Sequence, residues 1–267
     1  MMKLLFVLIA ALFPAISIAA EQAPPRMQAA CADQLPYGMP TMVAKNPVIC
    51  RRAYILMHDP AAKIPRWVAW TLTPKHSIGC VERDDAFAAD QSLPEDQRST
   101  PQDYAGSGYD QGHLANNADM SWDPAVARES FIMSNMSPQL PTVNRGTWKM
   151  LETQERAVSH DLNHIVTIYA GNIYTASSKT IGKNKVVVPD SLYKILVDNN
   201  TRQSYAFIMP NIVNIDADYI KYQVTVADVE KASGITFPTP DSKTNKNEFP
   251  KVDTGKVAAD KKTVCNK

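Results

Sequence analysis

The stretch Asp110-Gln111-Gly112-His113, followed downstream by Asn144, Glu152 and Arg156, brings a base, a metal ligand, a second carboxylate and a cation into one segment of chain. Hydrolysis of a phosphodiester needs that inventory. A base deprotonates water, a cation neutralises charge on the phosphorane-like transition state, and the departing oxygen needs help. His113 suits the first task, because an unperturbed imidazole pKa near ~6.5 leaves a neutral ring at physiological pH. Gly112 beside it permits a backbone conformation or a close approach that a side chain would prevent. Asn144 offers a neutral amide oxygen to a hard, water-rich ion, Mg2+ or another divalent ion such as Mn2+. Each residue alone has a blander explanation: a common loop string, a helix cap, or a surface ion pair. The combination is more specific than any part.

A helix must position the later members. From Asn144 onward, Trp148, Leu151, Val158 and Leu162 fall at helical spacing, which predicts an amphipathic helix of about four turns. Glu152 and Arg156, four positions apart, then lie on nearly the same face and can pair while pointing at a common site. Asn144, eight positions before Glu152, flanks that face. Glu152 can then hold metal-bound water, and Arg156 can contact phosphate or orient Glu152.

Around this segment, residues 51–57 and 67–73 are apolar, β-prone runs separated by turn residues and predict a hairpin. Residues 84–108 are polar, hold Pro94 and Pro101, and predict a surface excursion. Residues 131–133 predict a short buried strand and 134–141 a loop. Further strands are predicted at 165–170, 185–188, 192–197 and 204–209, with a hairpin turn at 198–201 joining the last two. Thr225 and Asp228 have capping-box spacing, and Gly234 can close the short helix that follows. After Phe237 periodicity vanishes, which predicts a polar tail over 239–267.

Length and composition set the frame. A chain of 267 residues with 45% hydrophobic and 21% charged residues is long enough for one domain with a substantial core. Residues 1–20 have the layout of a cleaved secretory leader: one lysine, an apolar run and small residues at the end. The run is short for a membrane span of about 20 residues and Pro14 interrupts it, so no membrane association is expected once the leader is removed. The formal net charge of +1 falls to 0 when Lys3 is removed with the leader. That balance excludes a simple basic nucleic-acid binder unless cations cluster locally, for which Arg51, Arg52, Arg66, Arg145, Lys149 and Arg156 are available. Four cysteines in an exported chain predict two disulfides with three possible connectivities; pairing Cys31 with Cys50 and Cys80 with Cys265 is preferred, the second pair tying the tail to the body.

Other signals point to structure. His160 and His164 lie at a helix end and predict capping or surface roles rather than a metal pair. Asn135 and Asn199 begin glycosylation sequons of the kind that arise by chance. Core packing is the expectation for all four tryptophans. No G-x-S-x-G or phosphate-loop string occurs.

The strings GSGYDQGHL (106–114), SNMSPQ (134–139) and NRGTW (144–148), with Leu151 and Glu152 behind them, resemble the DNA/RNA non-specific endonucleases, the ββα-metal group that includes mitochondrial endonuclease G and secreted bacterial sugar-nonspecific nucleases. The resemblance implies an α+β fold, with a central, mostly antiparallel sheet, flanking helices and a strand-and-helix metal finger. It also implies the domain limits: an extended segment over 21–46 and a nuclease domain over 47–238. It assigns His113 as general base, Asn144 as the direct Mg2+ ligand, Glu152 as holding metal-bound water, and Arg156 and Arg83 as phosphate contacts. Asp110 takes a positioning role. Gln111 departs from the family's arginine; it cannot supply the charge, though its amide can still donate hydrogen bonds to substrate. The implied activity is Mg2+-dependent cleavage of DNA and RNA by an exported protein, periplasmic or secreted. The alternatives are a non-catalytic nucleic-acid-binding protein on the same fold, with activity lost through Gln111, and a hydrolase of another phosphodiester.

Overall fold

The computed structural model describes residues 31–266; the leader expected at residues 1–20, and residues 21–30, lie outside the described residues. Strands β1 (Val48–Cys50), β2 (Ile55–Asp59) and β3 (Ile64–Leu72) form from the first β-prone runs, β2 and β3 pairing antiparallel as the expected hairpin. The next two strands are short: β4 (Asp110–His113) and β5 (Met136–Gln139) make a separate antiparallel ladder. Beyond the helix α1 (Trp148–Asp161) come β6 (Val166–Ile173), a small ladder of β7 (Thr180–Ile181) with β8 (Val186–Val187), then β9 (Ser191–Asp198), β10 (Gln203–Pro210) and β11 (Gln223–Val224). Helices α2 (Val226–Ser233) and α3 (Thr254–Cys265) complete the chain. The main sheet has seven strands in the order β1-β2-β3-β6-β9-β10-β11, every neighbouring pair antiparallel.

This sheet is covered on both faces, which is why its strands read as continuous apolar runs rather than alternating ones. In β3, Val68, Trp70 and Leu72 turn to the face packed by α1 through Trp148, Leu151 and Val158. Trp67 and Ala69 turn to the other, where Tyr169, Val226, Val229 and Phe237 close a second core. Three of the four tryptophans are fully buried, and Trp122 stacks on His76 with ring centroids 4.0 Å apart. Helix α2 has the predicted punctuation: Thr225 and Asp228 form a reciprocal capping box, and Gly234 ends the helix in the left-handed region at φ 69°.

Four expectations are corrected. The strand expected at 131–133 begins at Met136, because residues 133–135 make a 3-10 turn and the pairing partner of β4 lies beyond it, in the expected loop. The 84–108 excursion is not wholly superficial. Asp90 and Asp103 are buried in it, Asp90 held by Arg51 and Ser134 at 2.5 Å each, and Asp103 by Asn184. The segment after Phe237 is more than a tail. Phe249 enters the main core, and α3 packs on α1, where Asp260 meets His160 at 2.9 Å. Its polar composition concealed a helix fixed at few points. Finally, residues 35–42 of the N-terminal segment dock on the second core through Leu35, Tyr37, Met39 and Met42. Both preferred disulfides are present, Cys31–Cys50 and Cys80–Cys265.

Candidate active site

Strand β4 presents its residues alternately to two sides. Gln111 and His113 share one side, Asp110 and Gly112 the other. The register aligns Asp110 with Gln139 and His113 with Met136. Gly112 is glycine for lack of space: a Cβ there would come within 2.2 Å of the side chain of Gln139, which crosses above it. Just past the strand, Asn135 grips the backbone of Ala115 from both sides, accepting from its N–H and donating to its carbonyl at 2.9 Å each. The SNMSPQ string is therefore scaffold, and the sequon asparagine inside it is fully buried.

His113 is 8% exposed, its ring set edge-on to Phe131 at 4.9 Å and tilted against Phe87 at 5.7 Å. Its Nε2 is buried and makes no hydrogen bond. Burial, reinforced by the nearby Arg83 guanidinium, lowers the imidazole pKa to about 3, so the ring is neutral at physiological pH. Arg83 lies over the Phe131 ring at 5.1 Å and pairs with Asp85 at 2.7 Å. Gln111 makes no side-chain hydrogen bond among the described residues, and its Oε1 is buried without a partner.

On the other side of β4, the Asp110 carboxylate accepts a hydrogen bond from Asn144 Nδ2 at 2.9 Å and a bidentate grip from Arg145 at 2.8 and 2.6 Å. Burial acts to raise its pKa, but these donors prevail and hold the carboxyl below the usual range. The consequence for Asn144 is directional. With its amide nitrogen committed to Asp110, its Oδ1 turns the opposite way and is the atom available to a cation. Among the described residues no three His, Cys, Asp or Glu side chains form a metal cluster, so a cation here would rest on this amide oxygen and on its own waters, a donor set a hard ion accepts. Asn144 does not sit in regular helix as its spacing suggested. Residues Val143–Thr147 form an irregular turn kinked at Gly146, whose φ −107° and ψ −111° are not helical, and α1 proper starts at Trp148. The end of β5, just before the turn, is tied to the end of β10 by Asn211, which donates to Pro138 and Pro189 and accepts from Leu140.

Glu152 and Arg156 project from α1 as expected, but they do not form a pair with each other. Arg156 donates to Asp119 at 3.1 Å and to Asn116 at 3.0 Å. The nearest ammonium to Glu152 is that of Lys194, at 3.9 Å. Burial raises the Glu152 carboxyl to about 7 against the opposing pull of Lys194 and Arg156. Lys194 itself donates to Glu155 at 2.9 and 3.2 Å, and both side chains have 0% exposure. Asn116, three residues past His113, also donates to Glu155 at 3.0 Å, so one buried network joins the β4 side of the site to α1.

Sequence reasoning left out Arg145 as a site residue, along with Asn116, Asp119, Glu155 and Lys194. One signal was available: Lys194 interrupts the otherwise apolar run of β9, and a lysine at a buried strand position demands a partner. The raised Glu152 carboxyl has a measurable consequence. In metal-free protein its folded pKa of about 7 exceeds the ordinary 4.5, so its contribution to stability is present below about pH 4.5 and is lost as pH rises through 7. The difference in urea midpoint between parent and Glu152→Gln, measured from pH 4.5 to 8 in chelator, is expected to fall as pH rises, a comparison that cancels the opposite contribution of buried His113; a difference independent of pH would contradict the assignment.

Residues 33–243 match the DNA/RNA non-specific endonuclease family. Human mitochondrial endonuclease G is 29% identical over 216 residues, covering 75% of this chain and 71% of the relative. A nuclease from Nostoc sp. is 33% identical over 205 residues, covering 72% and 73%. A crystal structure of endonuclease G in complex with the inhibitor EndoGI superposes with a TM-score of 0.72 at 28% identity, covering 83% of this chain and 95% of that one. Sequence match and shared fold agree: this chain is a nuclease, a phosphodiester hydrolase, and belongs to the DNA/RNA non-specific endonuclease family.

Proposed function

We propose that the protein is an exported, Mg2+-dependent endonuclease that cleaves DNA and RNA with little sequence preference. The observation that carries the reading is the Asp110 carboxylate, which fixes Asn144 with its amide oxygen turned outward at one end of the strand whose other end holds the neutral His113. In this reading His113 takes a proton from the attacking water. The burial that keeps the ring neutral also weakens it as a base, and an anionic phosphate arriving beside Arg83 would offset part of that weakness by screening the guanidinium. Arg83 and Arg156 contact the phosphate, Gln111 donates its amide to the substrate, and Asp110 acts only through Asn144 and Arg145. Asn144 would hold Mg2+ directly and Glu152 its waters, and the bound ion would supply positive charge to the phosphate and the departing oxygen. Arg145, 72% exposed and beside Asn144, sets a cation against the strand where Gln111 brings none.

Export is supported by the leader-like residues 1–20 and by the two disulfides, which persist in oxidising compartments. Among the described residues no helix is long and apolar enough to cross a membrane. The test is digestion of supercoiled DNA and of single-stranded RNA with Mg2+, with and without chelator. Cleavage of both that chelation stops is the expected result. Retention of DNA without cleavage would replace the proposal with the binding-only reading, and cleavage in chelator would remove the metal from it.

A further inference from the structure

Lys194 occupies the middle of β9, on the sheet face that packs against α1. Its ammonium lies over the Trp148 ring at 4.6 Å and near the Trp70 ring at 5.6 Å from the centroid. Both aromatic faces offer it partial compensation for lost water, and Glu155 offers a carboxyl. A purely structural account would stop there. It leaves the arrangement poorly motivated, because a buried ion pair stabilises a fold little relative to apolar side chains of the same volume. The geometry on the helix side adds a second use. Three carboxyl groups, from Asp119, Glu152 and Glu155, face two cations, Lys194 and Arg156. Arg156 is committed to Asp119 and Asn116, and Glu155 is closed off from solvent. Of the three carboxyl groups Glu152 is the one that reaches solvent, at 12% exposure, and Lys194 is the cation that stands behind it.

We propose that Lys194, anchored by Glu155, is a positioning residue for Glu152. It holds one carboxylate oxygen toward the sheet by charge attraction and leaves the other free for the hydration shell of a divalent ion. The proposal rests on the metal site read above at Asn144. Glu155 fixes the ammonium so that its pull on Glu152 has one direction, and the two tryptophans prevent it from following Glu152 outward. Lys194 touches neither substrate nor metal in this arrangement; it acts through Glu152.

The test separates positioning from folding. The paired variant Lys194→Met/Glu155→Gln removes both charges without leaving either buried alone, and its thermal midpoint is expected to stay within a few degrees of the parent. Mn2+ binding, measured by calorimetry at fixed pH without substrate, is expected to weaken by about 10–100-fold, the range seen when groups behind metal-binding side chains are removed. In a Glu152→Gln background the same pair of changes is expected to have no further effect on Mn2+, since the group it acts through is altered. An unchanged dissociation constant, or an equal loss in both backgrounds, would overturn the proposal. Should the parent bind no Mn2+, the metal site itself fails, and the proposal with it; binding by the parent with no change in the variant removes only the role of Lys194. If the paired variant does not fold, Glu155→Gln alone, which releases the ammonium from its anchor, is expected to weaken Mn2+ binding several-fold, and parent-like binding there would equally overturn it.

Discussion

Replacing His113 with alanine is expected to lower turnover of supercoiled DNA by about 10²–10⁴-fold, the usual contribution of a positioned general base. The protein should remain folded. The ring's Nε2 bonds to nothing, so its removal leaves no partner unsatisfied; the loss is confined to packing against Phe131 and Phe87. Mn2+ affinity is expected to be unchanged, because the polar contacts that fix Asn144 come from Asp110, on the opposite side of the strand. Turnover, circular dichroism and Mn2+ calorimetry on one preparation read the three quantities together. Undiminished turnover would remove His113 from the mechanism, whereas loss of turnover together with loss of fold would point to the aromatic packing instead.

The second large effect is expected at the other end of β4. Asp110→Ala frees the Asn144 amide to rotate and releases the Arg145 guanidinium into solvent. The Mg2+ concentration giving half-maximal cleavage should rise by about 10–100-fold, as for other groups that orient a metal ligand, with much of the turnover regained at saturating ion. Asn144→Ala removes the amide oxygen itself, so cleavage at saturating Mg2+ should not recover. A titration of cleavage against Mg2+ for the two variants distinguishes them. Equal, saturable deficits in both would mean that Asp110 and Asn144 do not divide the work in this way.

Legibility in the sequence followed the range of the interactions. The hairpin of β2 and β3, the Thr225 cap and the face shared by Glu152 and Arg156 are set by neighbours a few residues apart, and the sequence reads them correctly. Strand β5 did not read as a strand. Its proline and polar residues carry weak β-propensity, and its partner lies 23 to 29 positions upstream. The kinked turn that carries Asn144 is invisible to a 3.6-residue periodicity, which nevertheless predicts α1 well. The buried network escaped for a related reason. Asn116, Asp119, Glu155 and Lys194 are ordinary surface residue types, and only the docking of α1 on the sheet brings them together. The Glu152–Arg156 pairing failed on the same ground, since Asp119 and Asn116 compete for the guanidinium from elsewhere in the chain.

The Cys80–Cys265 bond joins residues 185 positions apart. Every residue of the site, from Arg83 through Asp110, His113, Asn144 and Arg156 to Lys194, lies between those two cysteines. Residues 80–265 thus form a covalent ring, preceded by the segment that carries β1, β2 and β3, its start stitched to β1 by Cys31–Cys50. Closing a loop of that size removes about 5 kcal/mol of chain entropy from the unfolded state in the simplest account. A single peptide-bond cut at any exposed loop inside the ring leaves one molecule rather than two fragments, so the halves of the site stay tethered and can re-form after a nick that would scatter a linear chain.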